Sequence, residues 1–419
     1  MPDRRQAVYT FIILSLLVGL FTGRAFFFNL AYMLLGLIII AFSWSWMAVR
    51  WVGIQRKTRS SRAQVGQTLE EIFIVRNLSI LPKLWLEIND HSTLSEHKVS
   101  QVVPALNPRS IYRWHVETRC QSRGEFRLGP MVLTSGDPFG LFLLQRRIAA
   151  TSRIIVYPTI VPLAHVELPI GILSGGEAQR RRTHYITTNA AGVRDYVPGD
   201  SFNRIHWRST ARKGRLIVKE FEVDPLVDIW LFADFSRQSL VEDNVIQRID
   251  GVGPIIPSAK TSGIPRSTEE YIAVAAASLT RYFIGLDRAV GFVAYTPNRV
   301  IHQPERGSRQ IMRILESLAV ARSFSDYSLS QMLSLETPYF TRGTTLIIVT
   351  SSLDKAWVAE AQILNSRGIR PVCIFVDPHS FGGSQSSDTT LGILRLAKIP
   401  TIVIKCNDDV SKSLMQRPS

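Results

Sequence analysis

Two long apolar runs without charged residues open the chain. The first covers Ala7 to Phe21 and approaches the length of a membrane span when Gln6 to Gly23 is counted, and the second covers Ala25 to Val49. A helix needs about 17–25 predominantly apolar residues to cross the hydrocarbon core of a bilayer. The pattern therefore predicts a two-helix transmembrane hairpin with a very short loop.

Basic residues flank the two runs unevenly. Arg4 and Arg5 precede the first run, and Arg24 alone lies between the runs. The second run is followed by a group of basic residues: Arg50, Arg56, Lys57, Arg59 and Arg62. Because positive flanks stay on the cytoplasmic side, we expect a protein of the cytoplasmic membrane whose soluble domains lie in the cytoplasm. A cleaved signal peptide is the alternative, but no small-residue cleavage site follows the first run.

A second pattern, of short alternating segments separated by turn residues, extends from Val65 to Pro158. Alternation with a period of two is typical of strands with one buried face. The segments are EIFIVRNL, KLWLEIND, SIYRWHVET, GEFRLGPMVLTS and SRIIVYP. No helix-period run interrupts them, so we expect an antiparallel β-sandwich. We expect Arg119, Arg123 and Arg127 at exposed strand and turn positions.

From Asp228 onward, near-continuous apolar strands alternate with amphipathic helices. The predicted strands are VDIWLFADFS, AVGFVAY, TLIIVTSS, RPVCIFVD and PTIVIK. Ser267 and Glu270 have the spacing of a capping box at the start of the first helix. This alternation predicts a doubly wound parallel sheet, in which ligands bind at the carboxyl ends of the strands.

Composition adds a strong positive charge to this picture. The chain has a formal net charge of +15, which predicts attraction to nucleic acid, anionic lipid, phosphate groups or an acidic protein face. Its three cysteines are far apart and odd in number, which argues against a disulfide framework and favours a reducing compartment.

Much of the charge is concentrated between Val193 and Glu220, where seven basic residues face three acidic ones. Pro198-Gly199 predicts a turn, and Asp200 or Ser201 can N-cap a helix over Phe202 to Lys213. Gly214 then ends the helix, and Leu216 to Phe221 reads as a strand.

Arg204, Arg208 and Arg212 lie on one face of this predicted helix, at i, i+4 and i+8. Nearby carboxylates can clamp such guanidinium groups, and this interpretation is favoured for Arg204 and Arg208, which flank Trp207. An anion or acidic-partner site is the alternative, and it is favoured for the residues near the helix end: Arg212, Lys213 and Arg215.

The same segment resembles the signature of the domain-of-unknown-function 58 family of bacterial membrane proteins. The matching positions are Gly192, Arg194, Tyr196, Pro198, Gly199, Asp200, Arg204, Ile205, Trp207, Arg208, Ala211, Arg212, Leu216, Val218, Lys219 and Glu220. The run RGEFRLGPMVLTSGDPFGLF and the later VYPTIVPL are also similar to that family. His206 departs from the pattern, since members often have Asp there.

The resemblance implies four regions: a hairpin over 1–52, a β-sandwich-like domain over 53–165, a signature segment and linker over 166–223, and a von Willebrand factor A-like domain over 224–419. Complete domains of that type bind Mg²⁺ through Asp-x-Ser-x-Ser together with a later Thr and Asp. Here Asp234 and Ser236 are followed by Gln238, and the later strand ends in Thr350-Ser351-Ser352 where an Asp is expected, with Asp354 a few residues on. The resemblance therefore implies a degenerate magnesium site at most, and loop capping by Asp234 and Ser236 is the alternative.

Three functions remain open. The resemblance implies a protein-interaction or assembly module that acts with an AAA+ ATPase of the MoxR type, and with a transglutaminase-like membrane protein, in chaperone-like or envelope-related work. A Mg²⁺-dependent von Willebrand-type ligand-binding protein is the second. An enzyme or a polyanion-binding protein is the third, but the eight His residues are scattered and no catalytic constellation can be identified. We therefore expect no catalysis, no firmly bound cofactor and no nucleic-acid binding.

Overall fold

The structure is a computed structural model that describes residues 2–168, 190–197, 202, 205–221, 228–242, 264–296 and 298–418. The chain divides into two compact units. The first runs from the N-terminus to Ile160 and also includes Leu315–Ala321, and the second takes most of the remaining chain.

Two helices, α1 (Pro2–Thr22) and α2 (Ala25–Val49), begin the first unit. Both are long and apolar enough to cross a membrane, and only 11% of each apolar window is buried. Large side chains such as Phe11, Leu20 and Phe21 point away from the protein. Lipid would cover apolar surface of this kind. The predicted pair of apolar helices is therefore present.

The remainder of the first unit is made of strands. They are β1 (Val52–Thr58), β2 (Arg62–Gln64), β3 (Thr68–Asn77), β4 (Leu86–Asp90), β5 (Gln101–Val103), β6 (Ile111–Arg119), β7 (Gly124–Leu128), β8 (Met131–Gly136), β9 (Leu143–Ile148) and β10 (Ser152–Tyr157). They form sheets of order β1-β3-β6, β2-β10-β7 and β5-β4-β8-β9. Phe73 and Val75 of β3 share one apolar core with Ile88 of β4 and Leu133 of β8, so two of these sheets pack as layers.

Arg123 contradicts the expectation of an exposed position in this region. Its side chain is completely buried, and Nη1 donates to the backbone carbonyl oxygens of Leu318 and, over 2.7 Å, Ala321. Arg119 and Arg127 are exposed, as expected. The local sequence could not indicate this burial, because the residues that accept from Arg123, Leu318 and Ala321, are distant from it in sequence.

The elements that follow Ile160 alternate between strands and helices. They are β11 (Ala190–Asp195), α3 (Trp207–Lys213), β12 (Ile217–Phe221), β13 (Ile229–Ala233), α4 (Thr268–Gly285), β14 (Val290–Tyr295), β15 (Arg299–Glu305), α5 (Ser308–Val320), α6 (Leu329–Glu336), β16 (Thr345–Thr350), α7 (Ala356–Ser366), β17 (Arg370–Val376), α8 (Asp388–Leu396), β18 (Thr401–Ile404) and α9 (Val410–Leu414).

A six-stranded sheet of order β15-β14-β13-β16-β17-β18 forms the centre of the second unit. All neighbouring strands are parallel except β14 and β15, and this agrees with the predicted parallel sheet. The antiparallel strand β15 was not predicted. It contains Pro304 and charged residues at both ends, a composition that is tolerated at a sheet edge but is a weak strand signal.

Helix α4 covers one side of this sheet and begins after Ser267, as predicted. Ser267 is the N-cap residue, but its side chain makes no capping hydrogen bond, so the predicted capping box with Glu270 is wrong. The hydroxyl of the next residue, Thr268, instead donates to the carbonyl oxygen of Ser239 over 3.0 Å. The start of α4 is therefore joined to the loop that follows β13.

Candidate functional site

The signature segment folds as the hairpin of β11 and β12 with α3 attached to it. The two strands pair antiparallel, and the buried Ile205 forms an isolated bridge with Val218 of β12. The N–H of His206 donates to the carbonyl oxygen of Ile217 over 2.7 Å, which fixes the start of α3 against the strand. The backbone therefore holds α3 at a defined position on the hairpin.

Caps at both ends limit α3 to seven residues. At the N-cap, the His206 side chain accepts from the amide of Ser209 over 3.2 Å. At the other end, Gly214 has φ of 65°, and its amide donates to Thr210 over 2.9 Å. Gly214 ends the helix as predicted. The N-cap differs from the predicted Asp200 or Ser201, both of which lie outside the described residues.

No residue of α3 is buried, so the helix presents its side chains to solvent. Trp207 is 66% exposed, and the preceding Phe202 is 68% exposed. The ring of Phe202 stacks on Tyr196 with a centroid separation of 6.1 Å. Large aromatic side chains at such exposure are uncommon unless another surface covers them.

The cations of α3 are also exposed. Arg208, Arg212 and Lys213 have no carboxylate within ion-pair distance among the described residues. Arg215 contacts Asp195 with 3.1 Å between Nη1 and Oδ2, but more than half of each side chain is exposed. A pair of this kind contributes little to stability. We use the name α3 surface for the set Phe202, Trp207, Arg208, Arg212 and Lys213.

The described residues include part of the predicted site. The clamped state that was favoured for Arg208 is not observed in the described part of the chain, where its guanidinium is exposed. Arg194 lies within β11, and Tyr196 follows that strand. Arg204, the other candidate for clamping, lies outside the described residues, so its state stays a prediction.

Asp234 and Ser236, the residues proposed for a metal, lie directly after β13 at the carboxyl edge of the parallel sheet. Asp234 is completely buried. Its Oδ1 accepts from the amide of Ser236 over 2.9 Å, and its Oδ2 accepts from the hydroxyl of Thr350 over 2.6 Å. The Ser236 hydroxyl donates to that of Ser239 over 3.1 Å. Asp234 and Ser236 therefore belong to a cluster of hydroxyl groups that we call the Asp234 cluster.

The chemistry of the Asp234 cluster is a poor match for Mg²⁺. A hard divalent cation prefers several charged or carbonyl oxygens, whereas this cluster offers one carboxylate and neutral hydroxyls. No group of three or more His, Cys, Asp or Glu side chains in the described ranges is placed to hold a metal ion. Burial raises the pKa of Asp234, although the hydrogen bonds from Thr350 and Ser236 oppose this change. Loop capping accounts for the observed contacts.

A second buried carboxylate, Glu336 at the end of α6, was missed from the sequence. It accepts from the hydroxyl of Tyr295 over 2.5 Å, and Arg299 donates to both of its oxygens, over 2.5 and 2.7 Å. Burial and the neighbouring Glu336 raise the pKa of Tyr295. Because these residues come from separate elements, no local motif reveals them. Tyr295 and Arg299 line a pocket of about 470 Å³ together with the exposed rings of Tyr327 and Tyr339.

Comparison with known proteins gives similarity at the signature segment. The family model described as Protein of unknown function DUF58 matches residues 192–248, which include most of β11 together with α3 and β12. The chain is 23% identical over 245 residues to the Uncharacterized protein YeaD of Bacillus subtilis (strain 168). That alignment covers 55% of this chain and 61% of YeaD, so it spans less than two thirds of the relative.

Solved structures give only weak similarity. Proximal thread matrix protein 1 from the mussel byssus has a TM-score of 0.29 at 13% identity, over 45% of this chain and 46% of its own. The pilus adhesin SpaC of Lactobacillus rhamnosus GG has a TM-score of 0.31 at 12% identity, over 46% of this chain and 29% of its own. Scores this low carry no conclusion about fold or function.

Proposed function

We propose that this chain is a membrane-anchored interaction module whose α3 surface binds an acidic face of a partner protein. The observation that carries the proposal is the exposure of Trp207 on the same short helix as Arg208, Arg212 and Lys213, which lack described carboxylate partners. Tryptophan and arginine are enriched among the residues that dominate binding energy at protein interfaces. Exposed cations without a carboxylate partner among the described residues are available to an acidic partner in this proposal.

We propose an AAA+ ATPase of the MoxR type as that partner, and a transglutaminase-like membrane protein as a second component. This choice rests on the family resemblance of the signature segment, which the family model matches over residues 192–248. The α3 surface lies in that segment. Chaperone-like or envelope-related work is the process that this partnership would serve.

We also propose that the parallel sheet belongs to a von Willebrand factor A-like domain. The order β15-β14-β13-β16-β17-β18, with one antiparallel edge strand, supports this assignment, as does the Asp-x-Ser sequence after β13. In this proposal the domain binds its partner without a metal ion, because hydrogen bonds within the Asp234 cluster already satisfy the carboxylate.

The proposed orientation places α1 and α2 in the membrane and the rest of both units in the cytoplasm. The excess of basic residues outside the loop between the two helices supports it. The AAA+ partner proposed here would then share the compartment of the α3 surface. Anchoring would also confine the pair to the membrane, which raises their effective concentration.

A crosslinked pull-down from native membranes tests this proposal. The first variant, Arg208→Gln/Arg212→Gln/Lys213→Gln, removes three charges from the α3 surface. The control, Arg367→Gln/Arg395→Gln/Lys405→Gln, removes three exposed charges elsewhere in the second unit. We expect the wild type and the control to recover an AAA+ ATPase. The α3 variant is expected to recover at least tenfold less ATPase, with an unchanged melting temperature. Equal recovery with all three proteins contradicts the proposal.

A further inference from the structure

The connection between β3 and β4 lies at the carboxyl end of α2. We call it the 78–85 loop after its residues. Its Lys83 is buried, and Nζ donates to the carbonyl oxygen of Met47 over 2.5 Å. The amide of Leu78 donates to the carbonyl oxygen of Trp51 over 2.8 Å. Two separate contacts therefore hold this loop beside the last turn of α2.

A second connection of the same unit contacts α2 at a point further from its carboxyl end. It joins β8 to β9, and we call it the 137–142 loop. The hydroxyl of Ser45 donates to the carbonyl oxygen of Phe142 over 3.0 Å. The ring of Phe142 also meets the ring of Phe42 edge to face, with 5.5 Å between their centroids. Both loops are therefore attached to the last quarter of α2.

The two loops present large apolar side chains to solvent. In the 78–85 loop, Ile80 is 75% exposed, and in the 137–142 loop, Phe139 is 52% exposed. Three further exposed apolar side chains lie in the first loop: Leu78, Leu81 and Leu84. Apolar groups that are exposed in such density usually mark an interface with a protein or a membrane.

Internal hydrogen bonds fix the backbone of both loops. Nδ2 of the buried Asn77 donates to the carbonyl oxygen of Leu81 over 2.8 Å. The buried Asp137 accepts from the amide of Phe139 over 2.8 Å, and it is the only acidic residue in the sequence of the two loops. The loops therefore hold their apolar side chains at defined positions, and no carboxylate of the loops faces outward with them.

The positions of these contacts along α2 define a depth, which rests on the membrane placement proposed above for α1 and α2. A hydrocarbon core of about 30 Å corresponds to about 20 helical residues, so a count from Ala25 places its boundary near Ser45. At about 1.5 Å per residue, the loop contact at Phe42 lies roughly 5 Å inside that boundary. The contact at Met47 lies roughly 3 Å outside it, within a headgroup layer about 5–7 Å thick.

We propose that the 78–85 and 137–142 loops insert their apolar side chains into the bilayer interface. The strands of the first unit would then rest on the membrane surface at the carboxyl end of α2. Lipid is the proposed occupant because the exposed loop surface is continuous with that of the apolar helix. Trp46 and Trp51 lie at this junction with 6.0 Å between their ring centroids, and such rings are enriched at membrane interfaces.

Spin labelling of the full chain, with one chain in each lipid nanodisc, tests this proposal. A nitroxide is attached at one loop position, through Ile80→Cys or Phe139→Cys. Cys406→Ser removes the partly accessible native thiol, while the other two cysteines are buried. Power saturation of the nitroxide signal then compares its accessibility to oxygen, which concentrates in lipid, with its accessibility to a water-soluble nickel complex.

Two further label positions provide the controls. Leu35→Cys places the nitroxide on an exposed face in the middle of α2. Thr68→Cys places it at the exposed end of β3 that is opposite to the 78–85 loop, roughly 30 Å away along the strand. We expect the ratio of oxygen to nickel accessibility at positions 80 and 139 to be at least threefold higher than at position 68, and lower than at position 35.

The controls separate failure of the loops from failure of the anchor. If position 35 reports lipid while positions 80 and 139 match position 68, the helices span the membrane and the insertion of the loops is overturned. If position 35 also matches position 68, the membrane placement of α1 and α2 is overturned together with the insertion.

A second arm distinguishes lipid from protein as the covering surface. The nanodiscs then contain a lipid whose headgroup chelates nickel, which speeds the relaxation of any nitroxide that lies among the headgroups. We expect faster relaxation at positions 80 and 139 and no change at position 68. Protection from the soluble nickel complex without this faster relaxation would show that protein covers the loops, and would overturn the proposal.

Discussion

The hydroxyl of Thr350 donates to the carboxylate of Asp234 over 2.6 Å, across two neighbouring strands of the parallel sheet. This contact follows from the strand register, which pairs Ala233 with Val349 and so brings the next two residues together. The amide of Ser236 satisfies the other carboxylate oxygen. Thr350 therefore provides, by a hydrogen bond, the compensation that a cation would otherwise provide to a buried carboxylate.

Removal of the Thr350 hydroxyl is expected to destabilise the second unit. Thr350→Val keeps the shape of the side chain but leaves one oxygen of the buried Asp234 without its donor, at a cost of about 1–3 kcal/mol. Urea denaturation of the detergent-solubilised chain measures the free energy of unfolding. Thr389→Val, at an exposed position of α8, is the control and is expected to change it by less than about 0.5 kcal/mol. Equal effects of the two changes would contradict the role of Thr350.

A carboxylate at position 350 is expected to make the second unit depend on a divalent cation. Thr350→Asp places two carboxylates side by side, and like charges at this distance destabilise each other. We expect a lower melting temperature in EDTA and partial recovery in millimolar Mg²⁺, because ligand binding stabilises the folded state. The wild type is expected to melt at the same temperature in both conditions. A rise of several degrees for the wild type in Mg²⁺ would support a metal site in the natural sequence.

Two arginine–carboxylate pairs of the second unit are expected to differ strongly in their contribution to stability. Arg299 contacts Glu336, whose side chain is completely buried, whereas Arg215 contacts the exposed Asp195. Arg299→Gln leaves a buried carboxylate without its cation and is expected to cost about 2–4 kcal/mol, somewhat less than a fully buried pair because Arg299 is partly exposed. Arg215→Gln is expected to cost about 0–1 kcal/mol. If thermal melts show that the two variants lose similar stability, burial of the carboxylate does not determine how much each pair contributes.

A buried ionic group in the first unit is expected to make its stability depend on pH. His97 lies 3.0 Å from Glu71 and 3.4 Å from Asp90, and these side chains are almost completely buried. Burial lowers the pKa of His97, but the two carboxylates outweigh this effect and raise it. Burial likewise raises the pKa of Asp90, but the contacts with His97, Ser92 and Arg56 outweigh this effect and lower it.

The signs of these shifts define the expected pH profile. The stabilisation from His97 is complete below its unfolded pKa of about 6.5 and is lost as pH rises through the higher folded pKa. The stabilisation from Asp90 is present above its unfolded pKa of about 3.9 and is lost as pH falls through the lower folded pKa. Thermal melts between pH 5 and 9 should therefore show a decline above about pH 6.5 that His97→Gln removes. If the decline in stability is unchanged in His97→Gln, groups other than His97 cause it.

Local patterns predicted the elements of this fold well where a segment consists almost entirely of apolar residues. The apolar helices α1 and α2, and the buried strands β13, β14, β16 and β17, are continuous apolar segments. The prediction failed at β15, since an edge strand tolerates Pro304 and charges and so loses its alternation. The short helix α6 was missed as well, because eight residues between two loops provide little periodicity.

The candidate sites were less predictable because their geometry depends on residues distant in sequence. The helix end at Gly214 could be predicted, since a glycine directly after a helical segment is a local signal. Gly214 has the positive φ that such a position requires. The clamping of Arg208 stays a prediction, because the side chains of Asp200, Glu220 and Glu222, three of the four carboxylates near it in sequence, lie outside the described part of the structure. The pairing of Arg56 could not be predicted, because its partners Glu71 and Asp90 lie on other strands. The sequence shows where the charges are but not which groups pair with them.

Photocrosslinking at position 207 tests whether a partner protein contacts the α3 surface. A photoreactive phenylalanine derivative would replace Trp207 in native membranes, and Leu396, which is 84% exposed on α8, would provide the control position. We expect an AAA+ ATPase to be crosslinked at position 207 and not at position 396, with a yield that falls as salt screens the neighbouring cations. Crosslinks only to lipid, or the same proteins at both positions, would contradict a partner-binding role for the α3 surface.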